Sequence, residues 1–457
     1  MLRIGNLQKN GTGRVSRREL IRAGGLSACG VSLADLLRHE AAAAPENRPR
    51  PKSVILLWLW GGPSHVDSFD MKPNAPVEYR GPYAPVSTTV PGLQICEMLP
   101  KLAQRAHRYS IIRSLHHTSN DHGIAGTIGL TGADTGAISL SGQTMAGSLQ
   151  PAFGGVVSRV LGPSTQMPRF MTLGGHLHQG KRAIAGEGGG QLGTLHDPFR
   201  LDYDPEQGVR IPDLDLIDGL SPSGLDSRER LLTAMDSLSA RLDRSEVMDR
   251  MDQFYQQAFS LLTDSRARDV FDLKRETEAV RRKFGRFRFG QCCLLARRLI
   301  EGGSRFVQVN WSSHVEPVED TGDGGWDMHD RYFQQFQDRH AWMLDQAASA
   351  LLDDLEERGL IDDTVVVAVG EFGRTPKING KSGRDHWHQC YSGLIAGGGL
   401  QSGQVIGESD KLANHPIVRP LTPADLFATA LNQIGIGTTQ LTASGLTPLG
   451  SPIEELV

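Results

Sequence analysis

LIDDTVVVAVGEFGRTPKINGKSGRDHWH, residues Leu360–His388, is the stretch from which the rest of the chain can be read. Its β-branched run, Thr364–Val369, predicts a strand covered on both faces, because such strands read as unbroken apolar runs. The run stops at Gly370-Glu371-Phe372-Gly373-Arg374. In open α/β sheets, ligands collect just beyond the carboxyl ends of strands. A carboxylate (Glu371) and a guanidinium (Arg374) stand at that place, and Arg384-Asp385-His386-Trp387-His388 follows after a short loop. Carboxylates and imidazoles are the groups that hold zinc and related divalent cations.

The same pattern recurs outward from this stretch. Ser53–Trp60 is a second apolar run, stopped by Gly61-Gly62-Pro63 and followed by His65, Asp67 and Asp70. Tyr109–Ser114 is a third, followed by His116, His117, Ser119, Asp121 and His122. Further strands are expected at Phe170–Leu173, Arg305–Asn310 and Leu394–Ala396. Helices are expected at Leu99–Arg105, Gln291–Glu301, Tyr332–Arg358 and Pro423–Ile434, while Ile124–Leu130 reads as helix or tight turn. Trp326-Asp327-Met328-His329 leads into the longest of these helices. This alternation predicts one α/β domain over 46–457, with a mainly parallel central sheet and helices on both faces. The Gly- and Pro-rich stretch of about 133–223 reads as an irregular insertion over the sheet, and about 226–300 as a helical segment. Strand ends of one parallel sheet meet in space, so these polar loops are expected to share a site.

Composition narrows the function classes. A net charge of −4 over 457 residues gives no electrostatic case for nucleic acid or an anionic membrane. No stretch approaches the roughly 20 apolar residues of a membrane span. The five cysteines form no metal-binding spacing. At the N-terminus, Ser16-Arg17-Arg18-Glu19-Leu20-Ile21 precedes a mild apolar segment, Ala23–Leu37, and then Ala41–Ala44 and Pro45. Residues 1–45 therefore read as a twin-arginine export signal with a small-residue cleavage region, which places the mature protein in the periplasm or beyond.

The chain resembles the alkaline phosphatase–sulfatase superfamily. More closely, it resembles an exported branch of it, the domain of unknown function 1501 family. The resemblance is carried by the leader and by LWLWGGPSHVDSFDMKP, PGLQICEMLP, IIRSLHH, FGQCCLLARRLIEGGSRFVQV, WDMH, VAVGEFGRTPKING and GRDHWHQCYSGLIAGGG. It implies an alkaline-phosphatase-like fold and a metal-dependent hydrolase of phosphate or sulfate esters, acting on a small-molecule or polysaccharide substrate. It also implies that Asp327, His329 and His386 hold a divalent ion of the zinc type, with Glu371 and Asp67 completing that site or holding a second ion. Arg374 and Arg384 would clamp the anionic group, and His117 or His122 would transfer a proton or bind metal. One departure stands out. Counting back from Thr131-Gly132, His122 occupies the place where sulfatases carry the cysteine that becomes formylglycine. The alternative reading is a non-catalytic relative that binds sulfated polysaccharide or a cell-envelope partner.

Replacing Arg17 and Arg18 with Lys is expected to leave the precursor in the cytoplasm, assayed by cell fractionation. Unchanged export of that variant would remove the twin-arginine assignment.

Overall fold

A computed structural model describes residues 53–164, 167–180, 182–204, 208–210, 269–311 and 325–457. The expected export signal and most of the expected helical segment lie outside the described residues. Nine strands form the main sheet: β1 (Ser53–Leu59), β2 (Tyr109–Leu115), β3 (Phe170–Leu173), β4 (Phe199–Asp204), β5 (Gly208–Arg210), β6 (Phe306–Trp311), β7 (Thr364–Val369), β8 (Tyr391–Gly397) and β9 (Val405–Ile406). Their order is β9-β2-β8-β7-β1-β6-β3-β4-β5. The central pairings β7-β1-β6-β3-β4 are all parallel. β8 runs antiparallel to both β7 and β2, so β2 points the same way as β7.

Alternate side chains of each central strand serve opposite faces, the period-two geometry of a strand. Ile55, Leu57, Leu59, Val307, Val309, Val366 and Ala368 pack with Leu294 and Leu295 of α3 (Arg288–Glu301) and Leu344 and Leu351 of α4 (Ala341–Glu357). Val54, Leu56, Trp58, Val365, Val367 and Val369 pack with Leu130 of α1 (His122–Thr131), Phe153 and Val157 of α2 (Phe153–Leu161), and Leu426 and Phe427 of α5 (Pro423–Gln433). Both faces are covered, which is why these strands read as continuous apolar runs. Among the described residues, no helix is long and apolar enough to cross a membrane.

The topology places the polar loops. The carboxyl ends of β1, β2, β6 and β7 share one edge of the sheet. β8 enters at that edge because it runs the other way, so the residues just before it join the residues just after the other strands. His117 N–H donates to the His388 carbonyl at 3.0 Å across this junction.

Trp326–His329 forms a turn that leads into the helix beginning at Tyr332, as expected. Two expectations are revised. The stretch of about 133–223 does not simply lie over the sheet: β3 and β4 join it as parallel strands beside β6. Their alternating or buried apolar residues need a sheet neighbour, and the open edge of β6 supplies one. Second, the long helix is interrupted by a π-turn at Phe336–His340 before α4. The turn points His340 inward, where it donates through Nε2 to the Gly325 carbonyl at 2.6 Å and stacks on Trp311. That bond ties the helix to the turn carrying Asp327.

Burial pushes the His340 pKa down to about 4, against an ordinary value of about 6.5. As pH falls below about 6.5, the unfolded chain takes up a proton that the folded chain refuses. The His340 contribution to stability is thus whole above that pH and lost as pH falls towards 4, on the order of 3 kcal/mol in all. His340→Gln should flatten this part of the stability–pH curve in urea denaturation; an unchanged slope would contradict the assignment.

Candidate metal centre

β1 and β7 end side by side, with Trp58 opposite Val369. The chain then turns through Gly61, at φ 99°. A Cβ on Gly61 would lie 2.2 Å from the Asp327 amide nitrogen, so only glycine permits this backbone approach. Gly61 N–H donates to both Glu371 carboxylate oxygens, at 2.9 and 3.1 Å. Arg374 returns the tie, donating to the Gly61 carbonyl and, at 3.0 Å, to the Gly62 carbonyl. Trp326 N–H donates to the Trp60 carbonyl at 2.7 Å. Bonds to backbone groups thus knit the turn after β1, the segment after β7 and the Trp326–His329 turn into one floor.

Asp327 is the centre of that floor. Its Oδ1 lies 2.6 Å from Arg374 Nη2, 3.0 Å from His386 Nε2 and 3.1 Å from His329 Nε2. Its Oδ2 lies 3.1 Å from His122 Nε2 and accepts from Gln179 Nε2 at 3.0 Å. The other nitrogen of each imidazole faces outward. His122 Nδ1 meets Glu371 Oε1 at 2.8 Å, His329 Nδ1 meets Asp385 Oδ1 at 2.9 Å, and His386 Nδ1 meets the Asn120 carbonyl at 2.8 Å. Those three partners only accept, so each Nδ1 carries the hydrogen and each Nε2 points into the cluster. His329 Nε2 and His386 Nε2 then face one another at 2.9 Å. Two lone pairs at that distance repel unless a proton or a metal cation lies between them. The donor set therefore fits a divalent ion, held by inward nitrogens and a carboxylate with outward acceptors fixing the tautomers. The ligand atoms of His122, Asp327 and His386 all lie within 4.8 Å of one another.

The electrostatics agree with a cation-seeking site. Burial opposes the Asp327 charge, yet Arg374 and the three imidazoles hold its carboxyl far below the usual range. Burial likewise opposes a charge on His122, but hydrogen bonds to Asp327 and Glu371 raise its pKa to about 9. Burial lowers His386 to about 4 against the pull of Asp327, and the Asp327 hydrogen bond raises His329. Asp327 and His122 are buried, whereas the His329 and His386 side chains are 33% and 20% exposed. Solvent reaches the cluster from that rim.

The structure separates the other sequence candidates. Glu371 reaches the cluster through His122; both its oxygens are engaged by Gly61 N–H, and it orients the imidazole. Asp67 lies outside, in a fully buried pair with Arg384 at 2.6 and 3.0 Å. Arg384 also donates to the carbonyls of Tyr79, Thr375 and Pro376. Arg374 is spent on Asp327 and on the Gly61, Gly62 and Arg384 carbonyls. Neither guanidinium is available to clamp a substrate anion, because both neutralise buried carboxylates and satisfy buried carbonyls. His117 is buried and bonds the Glu371 carbonyl at 2.6 Å, and burial lowers it to about 4. It holds backbone rather than facing the cluster. Sequence reading missed Gln179, which lies in the stretch of about 133–223 and carries no motif. It also missed the orienting roles of Asn120 and Asp385, although the adjacent histidines point to their loops.

Hydroxyls near His122 are engaged as well. Thr127 Oγ1 donates to the Gly123 carbonyl at 2.7 Å within α1, and Ser119 Oγ accepts from Asp121 N–H at 3.1 Å. The Asp121 carboxylate caps α1 by accepting from the N–H groups of Gly123 and Ile124. That negative charge occupies the helix end where an anion would otherwise settle.

The chain belongs to the family described as "Protein of unknown function (DUF1501)", which matches residues 51–453. No curated protein matches it. Among solved structures, the lipoteichoic acid synthase LtaP from Listeria monocytogenes is 13% identical with a TM-score of 0.38, covering 89% of this chain and 76% of that one. The PsFucS1 sulfatase from Pseudoalteromonas sp. is 13% identical with a TM-score of 0.37, covering 96% and 75%. The C-terminal periplasmic domain of EcEptC from Escherichia coli, in complex with Zn, is 8% identical with a TM-score of 0.36, covering 85% and 84%. At these identities and scores the likenesses are loose.

Arg374→Met should destabilise the fold by about 3–5 kcal/mol, because it strands the buried Asp327 charge. Chemical denaturation measures this, and a loss below about 1 kcal/mol would show that Arg374 is not the compensating charge.

Proposed function

We propose that the protein is an exported, metal-dependent hydrolase of phosphate or sulfate esters, with a single divalent ion of the zinc type. The observation that carries this reading is the convergence of the His122, His329 and His386 Nε2 atoms on the Asp327 carboxylate, each ring oriented by an outward acceptor. These four side chains would hold the ion. A bound ion supplies Lewis acidity towards an ester oxygen and a water molecule. One ion is favoured over two because Asp67 is committed to Arg384 and Glu371 to Gly61 and His122.

The chain's own groups give the site its character. Arg374 keeps Asp327 ionised and fixed. Glu371, Asp385 and the Asn120 carbonyl keep the Nδ1 hydrogens outward. The exposed rim at His329 and His386 is the approach for substrate. Ser119 and Thr127 are tied into local structure, and His122 is held at both nitrogens, so the reading takes water, rather than a side chain, as the nucleophile. Location outside the cytoplasm rests on the twin-arginine motif at Ser16–Ile21.

A second reading is favoured by the engagement of Arg374 and Arg384, which leaves neither guanidinium for an ester anion. In it, the ion organises a binding surface for a sulfated or phosphorylated polymer without turnover.

Elemental analysis of protein purified without chelator should find one divalent transition-metal ion per chain. Asp327→Asn should lower ion occupancy and reduce turnover of a chromogenic phosphate or sulfate ester by at least about 10²-fold. Absence of bound metal would overturn the metal-dependent hydrolase reading, whereas a covalent adduct on Thr118, Ser119 or Thr127 trapped during turnover would overturn water as the nucleophile. Bound metal with no turnover across a broad ester panel would select the binding reading instead.

A further inference from the structure

Gln179 lies on a small hairpin outside the main sheet, in which His178–Gln179 pairs with Arg182–Ala183. The base of the hairpin is anchored. Ile184 N–H donates to the Leu177 carbonyl at 2.9 Å, and both side chains are buried in the apolar cluster that contains Trp60. From this base, the carboxamide bridges two groups of the metal-centre floor. Its Oε1 lies 3.2 Å from Trp60 Nε1, and its Nε2 lies 3.0 Å from Asp327 Oδ2. An indole N–H only donates and an ionised carboxylate only accepts, so the two contacts allow one orientation of the amide.

The consequence falls on Asp327. Arg374 donates to Oδ1 and Gln179 donates to Oδ2, so each oxygen is held by one N–H donor. Rotation of the carboxylate would break both bonds. An ionised carboxylate has about four acceptor sites on its two oxygens, so accepting capacity remains on each for the side facing the imidazoles. The second donor is also neutral. A lysine or arginine at this place would add a positive charge beside an incoming cation, whereas an amide orients Asp327 without repelling it.

We infer that Gln179, oriented by the Trp60 indole, is a positioning residue of the metal centre that fixes the Asp327 carboxylate in its ion-accepting orientation. This rests on the metal-centre reading proposed above. Loss of such outer partners typically costs about 10–100-fold in metal affinity. The full chain, stripped with chelator, should be titrated with zinc against a chromogenic competitor and, separately, with cobalt(II) followed by its visible absorption. Gln179→Met should raise the zinc Kd by about 10–100-fold and shift the cobalt(II) bands, because the carboxylate is no longer held. Trp60→Phe removes the donor that orients the amide and should move both readouts the same way by less. In the double variant, Trp60→Phe should add nothing further to the zinc Kd. Wild-type affinity and an unaltered cobalt(II) spectrum in Gln179→Met would overturn the inference while leaving the metal centre standing. A wild-type chain that binds neither ion would instead overturn the centre, and the inference with it.

Discussion

A carboxylate removed from water keeps its charge only where donors and cations compensate it, and Asp327 imposes that condition on the whole sheet edge. Arg374 is fully buried to meet it, and three imidazoles and one amide crowd around the two oxygens. The compensation also organises backbone. The same guanidinium that neutralises Asp327 accounts for the Gly61, Gly62 and Arg384 carbonyls. Segments more than three hundred residues apart in the chain are thereby held at one point. The glycine at 61 follows from the closeness of that approach.

His122 is held between two carboxylates. It begins α1 beside the capping Asp121, where the sequence alone led one to expect the place of a sulfatase-type nucleophile. Here the ring is gripped on one side by Glu371 and on the other by Asp327. A group held at both nitrogens is poorly suited to attack an ester and well suited to complete a cation site. Without an ion, its raised affinity for a proton supplies the positive charge the two carboxylates demand. Glu371 and Asp67, both carboxylates following apolar strands, diverge for an equally local reason. One faces an imidazole and a backbone N–H, while the other faces Arg384.

Much of the fold was legible because its signals are local. Thr364–Val369 and Phe170–Leu173 form the strands their composition suggests, and the polar loops that follow the central strands do lie at one edge. The expected helix at Tyr332–Arg358 exists but carries a π-turn, since the contact of His340 with Gly325 is tertiary and leaves no periodic trace. The stretch of about 133–223 read as irregular because β3 and β4 are short and separated by Gly-rich turns. Their place in the sheet depends on the free edge of β6.

The sequence by itself determined the α/β class, the strands that carry the site and the identity of Asp327, His329 and His386 as candidates, because burial on two faces and clustering of polar loops are written in residue order. Only the tertiary structure decided which charges meet. Asp67 and Glu371 occupy similar places in sequence, as do Arg374 and Arg384, and no spacing rule says which carboxylate faces a guanidinium and which faces an imidazole. Electrostatic and hydrogen-bond partners act over a few ångströms between segments hundreds of residues apart. Gln179 and the outward acceptors Asn120 and Asp385 were invisible for that reason: their roles lie in a distance and an angle that no residue type encodes.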